Sequence, residues 1–254
     1  MISHIPAAVL PADQMTVYVV RHGERIDHID DTWTSTSAAP YDPPLTTDGW
    51  TQARKAGTMI RDLEPQTDSE YIMLISPFLR CAQTGEAIHE GFHKGNGPLW
   101  RVAVEPGLSE VINENYFHSA ANVPTGIVAE RREEMKMGVV CGNMVFDEEY
   151  RPVCEELPVF PENFQSMVAR FGAVLDRIAT RAISERKGKR VVVVLVTHGA
   201  GITALRWATT RRLDAGNDVP YCALFRATLP MPVFGSTLVP GFTWTANSLL
   251  SPNL

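Results

Sequence analysis

Two histidines, each followed by a glycine, set the chemistry open to this chain: Arg21-His22-Gly23 and Thr197-His198-Gly199. A neutral imidazole whose hydrogen is fixed on one nitrogen keeps a lone pair on the other, so histidine can attack phosphorus as a nucleophile. Cleaving a phosphomonoester in this way also needs positive donors around the equatorial oxygens and an acid for the leaving oxygen. His22 is the nucleophile candidate. Arg21 and Arg80 carry planar forks matched to phosphate oxygens, Arg25 is close enough in sequence to reach the same pocket, and His198 can add a ring N–H. Gly23 lets the backbone turn tightly against the ligand. The turn from Glu105 to Glu110 brings two carboxyls as candidate acids. Each residue alone has a plainer reading, since a histidine behind a strand is more often a satisfied turn residue and an arginine on a helix a solvated one. Their order behind successive strand candidates is what carries weight.

The elements that must hold these residues are legible from pattern. Thr16 to Val20 and Val191 to Val196 are runs rich in β-branched residues that end at the two histidine tripeptides, and Tyr71 to Ile75 and Val102 to Val104 are further strands. Ile26 to Pro44 shows no helical period and reads as a long loop, a kind that is often functional. Thr46 or Thr47 caps a helix whose apolar face is Ala53, Ala56, Met59, Ile60 and Leu63. Helices are also expected over Phe78 to His89, from Phe164 through Ile178, and from Ile202 to Ala208. The stretch 111–161 reads as a cap-like insertion, with Glu130 to Met137 as a polar surface helix whose Arg131-Arg132 pair faces solvent. The tail from Tyr221 is expected to supply edge strands. Alternation of this kind implies an α/β fold of three layers, α/β/α, with a mostly parallel central sheet, in one domain over residues 1–254. In such sheets ligands sit beyond the carboxyl ends of the strands, where both tripeptides lie.

Composition narrows the partners. The formal net charge is −6 and no basic run exceeds Arg131-Arg132 or Arg211-Arg212, which argues against nucleic acid, since backbone binding needs a positive face. A small anion remains suitable, because a few convergent arginines make a local positive pocket. The four cysteines, Cys81, Cys141, Cys154 and Cys222, match no zinc spacing and read as reduced thiols. Met1 to Ala12 lacks the features of a signal peptide, and no apolar run reaches the roughly 18 residues of a membrane span. The expectation is a cytoplasmic protein with no membrane partner, no metal and no cofactor. His4, His28, His89, His93 and His118 show no comparable context and read mostly as surface residues, with His118 in the cap near the site.

The motifs together resemble a known family. Val20-Arg21-His22-Gly23-Glu24-Arg25, Asp42-Pro43-Pro44-Leu45-Thr46, Ser76 through Thr84, Val104 through Glu110 and Val196-Thr197-His198-Gly199 resemble the histidine phosphatase superfamily, which also holds the cofactor-dependent phosphoglycerate mutases. Within it the chain is most similar to the catalytic domain of the suppressor of T-cell-receptor signalling phosphatases, which act on phosphotyrosine, and to the insect ecdysteroid-phosphate phosphatases. Arg25, Trp33 and Asp147-Glu148-Glu149-Tyr150-Arg151-Pro152 point there. The resemblance implies His22 as nucleophile, Glu110 as proton donor, Glu105 as a non-catalytic neighbour, and Arg21, Arg25, Arg80 and His198 as the phosphoryl clamp. It implies a phosphorylated small molecule or a phosphopeptide as substrate, and relatives of this branch form homodimers.

There are departures. The loop from Ile26 to Pro44 is shorter than in the signalling phosphatases, Ser109 stands where an aromatic is expected, and the tail after Tyr221 matches poorly. The leading expectation is a metal-independent phosphomonoesterase working through a phosphohistidine on His22, acting on aryl or alkyl phosphates. A mutase-like phosphotransferase and an inactive phosphate-binding scaffold are the alternatives. Mutases resemble one another in an Arg-His-Gly-Glu-Ser start, whereas this chain has Glu24-Arg25.

Overall fold

Hydrophobic residues at alternate positions of the same strands feed two separate cores, and that division defines the layers. The computed structural model describes residues 14–64, 69–93, 98–185, 190–210, 219–230 and 245–250. The N-terminal stretch with His4 and the Arg211-Arg212 pair lie outside them. Strands β1 (Gln14–Arg21), β2 (Ser69–Ile75), β3 (Trp100–Val104), β4 (Val145–Phe146), β5 (Arg190–Thr197), β6 (Leu224–Pro230) and β7 (Thr245–Leu250) form one sheet in the order β4-β3-β2-β5-β1-β6-β7. The pairings from β4 across to β1 are parallel, and those of β6 with β1 and with β7 are antiparallel. β6 is therefore interior to the sheet and, of the tail's two strands, β7 alone is an edge, so the edge-strand expectation for the tail holds for one strand of the two.

Helices α1 (Trp33–Thr36), α2 (Thr47–Leu63), α3 (Leu79–Phe92), α4 (Glu114–Phe117), α5 (Ile127–Lys136), α6 (Phe164–Glu185) and α7 (Gly199–Thr210) complete the described elements, with single 3-10 turns at Ile26–His28, Pro106–Leu108 and Ala120–Asn122. Val17, Val19, Leu74, Val193 and Leu195 pack on Phe171, Val174 and Ile178 of α6 and Ile202 and Leu205 of α7. The intervening residues Tyr18, Val20, Met73, Ile75, Val194 and Val196 pack on Ala53, Ala56 and Ile60 of α2 and Cys81, Ala87 and Ile88 of α3. β5 is buried along its whole length, as a central parallel strand covered on both faces must be. The three-layer α/β/α expectation is met.

Local chemistry sets the ends. Thr46 is the cap of α2: its hydroxyl accepts from Gly49 N–H at 2.9 Å, and Asp48 sits in the positive first turn. α3 has no cap of its own, and Asp42 supplies one from a distance, with Oδ1 accepting from Leu79 N–H at 2.6 Å. The stretch 26–44 is not wholly irregular, since it holds the first 3-10 turn and α1. The stretch 111–161 holds α4, α5 and β4, and β4 joins the main sheet beside β3. Among the described residues no helix is long and apolar enough to cross a membrane.

Candidate active site

The parallel registers bring the chemistry together. Arg21 pairs with Thr197 and Ile75 with Val196, so β1, β5 and β2 end at one level. Past those ends His22 N–H donates to Thr197 O at 2.9 Å, Ser76 N–H to Val196 O at 3.0 Å and Glu105 N–H to Ile75 O at 2.9 Å. The ladder thus continues one residue beyond each strand and fixes the backbone of the site. The rings of His22 and His198 face each other edge-on, with centroids 5.3 Å apart. The segment after His22 is held as firmly: Gly23 N–H donates to Thr84 Oγ1 at 3.0 Å, Glu24 N–H to Gln52 Oε1 at 3.0 Å, and Thr46 N–H to Glu24 O at 2.9 Å. Gly23 and Gly49 are in backbone contact there; a Cβ on Gly23 would lie 2.6 Å from Gly49 O.

His22 is buried, and its Nδ1 lies 2.8 Å from the carbonyl of Gly23. A carbonyl only accepts, so Nδ1 carries the hydrogen and Nε2 keeps its lone pair. Burial, then the Arg80 charge, lowers the His22 pKa well below 6.5, with the Gly23 hydrogen bond opposing and Arg21 and Arg25 adding to the drop. The ring is neutral over the ordinary pH range. His198 is also buried and its pKa is lowered in the same way, by burial first and then by Arg80. Its Nδ1 is 3.2 Å from Arg80 Nη2, which only donates, so the His198 hydrogen sits on Nε2, 2.8 Å from Ser76 Oγ. In this tautomer His198 orients Arg80; donating an N–H to a ligand requires the other tautomer.

The arginines differ in what is left to bind a ligand. Arg80 is buried at the first turn of α3 with its guanidinium 4.5 Å from the Phe78 ring, and its Nε and Nη1 have no hydrogen-bond partner. The nearest carboxylate, Asp42, is 3.9 Å from Nη1. Arg21 Nη1 donates to Val219 O, its Cζ lies 4.3 Å from the Tyr221 ring centroid, and its Nε is buried without a partner. Arg25 forms a two-pronged pair with Asp27 at 2.8 and 2.7 Å, while its charge still reaches His22, His198 and Glu110.

The two carboxyls of the turn after β3 are bonded very differently. Glu105 is fully buried, and its oxygens accept from Gly107 N–H (2.7 Å), Tyr150 Oη–H (2.6 Å), Val153 N–H (2.9 Å) and Cys154 N–H (3.4 Å). It is a brace: Asp147 to Pro152, carrying Tyr150, is fastened through it to the strand end. Glu110 accepts one bond, from Val111 N–H at 3.0 Å, and its other oxygen lies 3.4 Å from His198 Nδ1. Burial raises the Glu110 pKa above the usual carboxylate range, against the pull of Arg80. Arg170 ties the turn from below, donating to the carbonyls of Gly107 and Ser109. Ser109 is itself buried.

Several sequence readings change. Arg131 does not face solvent: its Nη2 donates to Asp42 at 2.9 Å, its Nε to Pro77 O at 3.0 Å, and its Nη1 to Glu134. Asp42 is therefore a hub that caps α3, pairs Arg131 and flanks Arg80. His28 is exposed, as read, and its Nδ1 is hydrogen-bonded to Tyr221 Oη at 2.5 Å. His89 is buried against Trp100, and desolvation, then the neighbouring His93, lowers its pKa to about 4. His93 packs beside His89, and His118 is exposed at the wall of a cavity of about 500 Å³ that Tyr41, Tyr116 and Phe117 also line. The four cysteines are free thiols. Asp42, Ser76, His28 and Tyr221 escaped the sequence reading; Asp42 and Ser76 lay inside quoted motifs, and the other two had no local signal.

Comparison with known proteins speaks to the family and the fold. The profile of the histidine phosphatase superfamily (branch 1) matches residues 17–224. The human ubiquitin-associated and SH3 domain-containing protein A is 26% identical over 227 residues, which is 78% of this chain and 32% of that protein. A 2,3-bisphosphoglycerate-dependent phosphoglycerate mutase of Rhizobium etli is 30% identical over 116 residues, 46% of this chain and 49% of the mutase. The chain thus spans about a third to about a half of the length of these relatives. Among solved structures, the ecdysone phosphate phosphatase of Bombix mori, in complex with tungstate, superposes with a TM-score of 0.58 at 22% identity, covering 90% of this chain and 97% of that one. A phosphoglycerate mutase of Bacillus anthracis gives a TM-score of 0.55 at 17% identity over 95% of each chain. At these identities the two structures speak to the fold.

Proposed function

Since the chain belongs to the histidine phosphatase superfamily (branch 1), we propose that it is a metal-independent phosphomonoesterase that forms a phosphohistidine on His22. The observation that carries this reading is the fixed tautomer: the Gly23 carbonyl takes the Nδ1 hydrogen at 2.8 Å and leaves Nε2 free in a buried, neutral ring. In the first step Nε2 bonds to phosphorus as the ester P–O bond breaks, and Glu110 gives its proton to the leaving oxygen. In the second step Glu110, now a carboxylate, takes a proton from water as the water oxygen bonds to phosphorus and the P–N bond breaks. Arg80 and Arg21, with unpartnered buried N–H groups, stabilise the charge on the equatorial oxygens, and Arg25 adds to the field. His198 holds Arg80 in place and belongs to the same clamp.

Aryl and alkyl monoesters are the proposed substrates, phosphotyrosine among them. The cavity of about 500 Å³ walled by Tyr41, Tyr116 and Phe117 supports an apolar leaving group, and the Glu110 charge, then burial, raises the Tyr116 pKa. The mutase reading has the Rhizobium relative in its favour. Against it, Arg131 is spent on Asp42 and Pro77 and cannot serve a second phosphate group.

His22→Ala should abolish hydrolysis of p-nitrophenyl phosphate, and acid-labile phosphate on quenched wild-type protein should be missing from the variant. A chelator should leave the rate unchanged. Activity lost to a chelator and restored by added metal would overturn the mechanism, and phosphate passed to a second phosphoglycerate carbon in place of water would favour the mutase.

A further inference from the structure

The turn that leads into β6 completes the pocket from a part of the chain that no motif marks. Ala223 N–H donates to Pro220 O at 3.1 Å, and Cys222 adopts a left-handed φ of 55°, which closes Val219 to Ala223 into a compact turn. The turn is bonded to the end of β1, with Arg21 N–H donating to Ala223 O at 3.2 Å and Cys222 N–H to His22 O at 3.4 Å. Two of its groups then reach the site. The Val219 carbonyl accepts from Arg21 Nη1, and the Tyr221 ring lies against the Arg21 guanidinium with its centroid 5.8 Å from that of His22. The far end of Tyr221 is tethered as well, its hydroxyl 2.5 Å from Nδ1 of His28, a residue of the 3-10 turn after Arg25.

An arginine that clamps phosphate gives up rotamer freedom on binding, and a side chain held in place beforehand loses less. Arg21 is held at one end by a carbonyl and on one face by an aromatic ring, while its buried Nε has no partner. We propose that Tyr221 is a positioning residue of the phosphate clamp, fixing Arg21 beside His22, and that His28 acts only as the anchor of its hydroxyl. The proposal rests on the reading of the site as a phosphate pocket. A tyrosine that only filled space would need no partner for its hydroxyl, and its loss would show in stability and not in anion affinity.

The test uses the full chain and inorganic vanadate, with its Kd measured by calorimetry so that binding is read independently of turnover. Tyr221→Leu should weaken vanadate binding about five- to thirty-fold, the range for a partly desolvated cation–π contact, and lower kcat/KM on p-nitrophenyl phosphate by a similar factor. Tyr221→Phe keeps the ring and loses the tether, so its effect should be smaller. His28→Ala should match it, and the double variant should be no worse than either single one. His28→Gln, whose amide can still bond the hydroxyl, should recover most of the loss. Wild-type vanadate affinity in Tyr221→Leu, or effects of Tyr221→Phe and His28→Ala that multiply, would overturn the proposal. If Tyr221→Leu does not fold, the Phe and Ala variants decide alone. A wild-type protein that binds vanadate but turns over no ester would count against hydrolysis and leave the positioning role to the binding data.

Discussion

Glu110→Gln removes a proton and almost nothing else. The amide oxygen can still accept from Val111 N–H, and the amide nitrogen can donate to His198 Nδ1, 3.4 Å from the carboxyl in the native protein. The fold should lose no more than about 1 kcal/mol. General-acid assistance is worth about 10²–10⁴-fold, or about 2.7–5.5 kcal/mol of barrier, when the leaving oxygen needs it. An alkoxide needs it and p-nitrophenolate departs nearly unaided, so kcat/KM should fall by that factor on an alkyl phosphate and by less than about tenfold on p-nitrophenyl phosphate. The pH profile adds a second reading. Turnover requires neutral His22 and protonated Glu110; burial lowers the first pKa below 6.5 and raises the second above 4.5. The wild-type rate should rise as pH passes the lowered His22 value and fall as it passes the raised Glu110 value. Glutamine does not titrate, so the falling limb should vanish. Glu105→Gln is the reverse case. With its nitrogen in place of Oε1 the amide meets the N–H groups of Gly107 and Cys154; in place of Oε2 it meets Val153 N–H, while the Tyr150 hydroxyl can turn to accept, so the cheaper orientation loses one bond to a charged group, roughly 1.5–3 kcal/mol of stability. Equal slowing of both substrates by Glu110→Gln, or leaving-group dependence in Glu105→Gln, would refute the assignment.

Arg80→Ala should lower kcat/KM roughly 10²-fold and weaken vanadate more than phosphate, since its unpartnered Nε and Nη1 match a five-coordinate centre. Inhibition assays check this, and unchanged vanadate affinity would remove Arg80 from the pocket. Gly23→Ala should cost about 1–3 kcal/mol, because its Cβ would come within 2.6 Å of Gly49 O and push the start of α2 away from the His22 loop. The denaturant midpoint reports it, and an unmoved midpoint would mean that the contact yields freely.

What could be read from the sequence was what short-range pattern encodes. β5 carries an unbroken apolar run, Val191 to Val196, rich in β-branched residues, and its expected bounds lie within a residue or so of the observed ones, as does the Thr46 cap of α2. His22, His198, Arg80 and Glu110 were marked by motifs at strand ends, and the fold brings them together. Arg131 was misread because its neighbours in sequence are glutamates, while the partner that buries it, Asp42, lies 89 residues away. The His28–Tyr221 contact spans 193 residues, and neither residue has a local pattern that announces it. β4 was missed because two residues cannot display a period. In each case the deciding partner was tertiary.

The alignment of β1 with β5 has a consequence for how the protein comes to be active. Arg21 stands opposite Thr197 because two strands from opposite ends of the sequence share one register. Each strand sends alternate side chains into two different cores, so a slip of one residue would exchange every partner on both faces at once. The same slip would carry His22 about 3.3 Å along the sheet relative to His198, as far as the whole reach of an attacking atom. The hydrophobic cores thereby act as the ruler for the catalytic distances. A chain that has collapsed without closing this long-range pairing has no pocket at all, and anion binding would report that the pairing has closed in register.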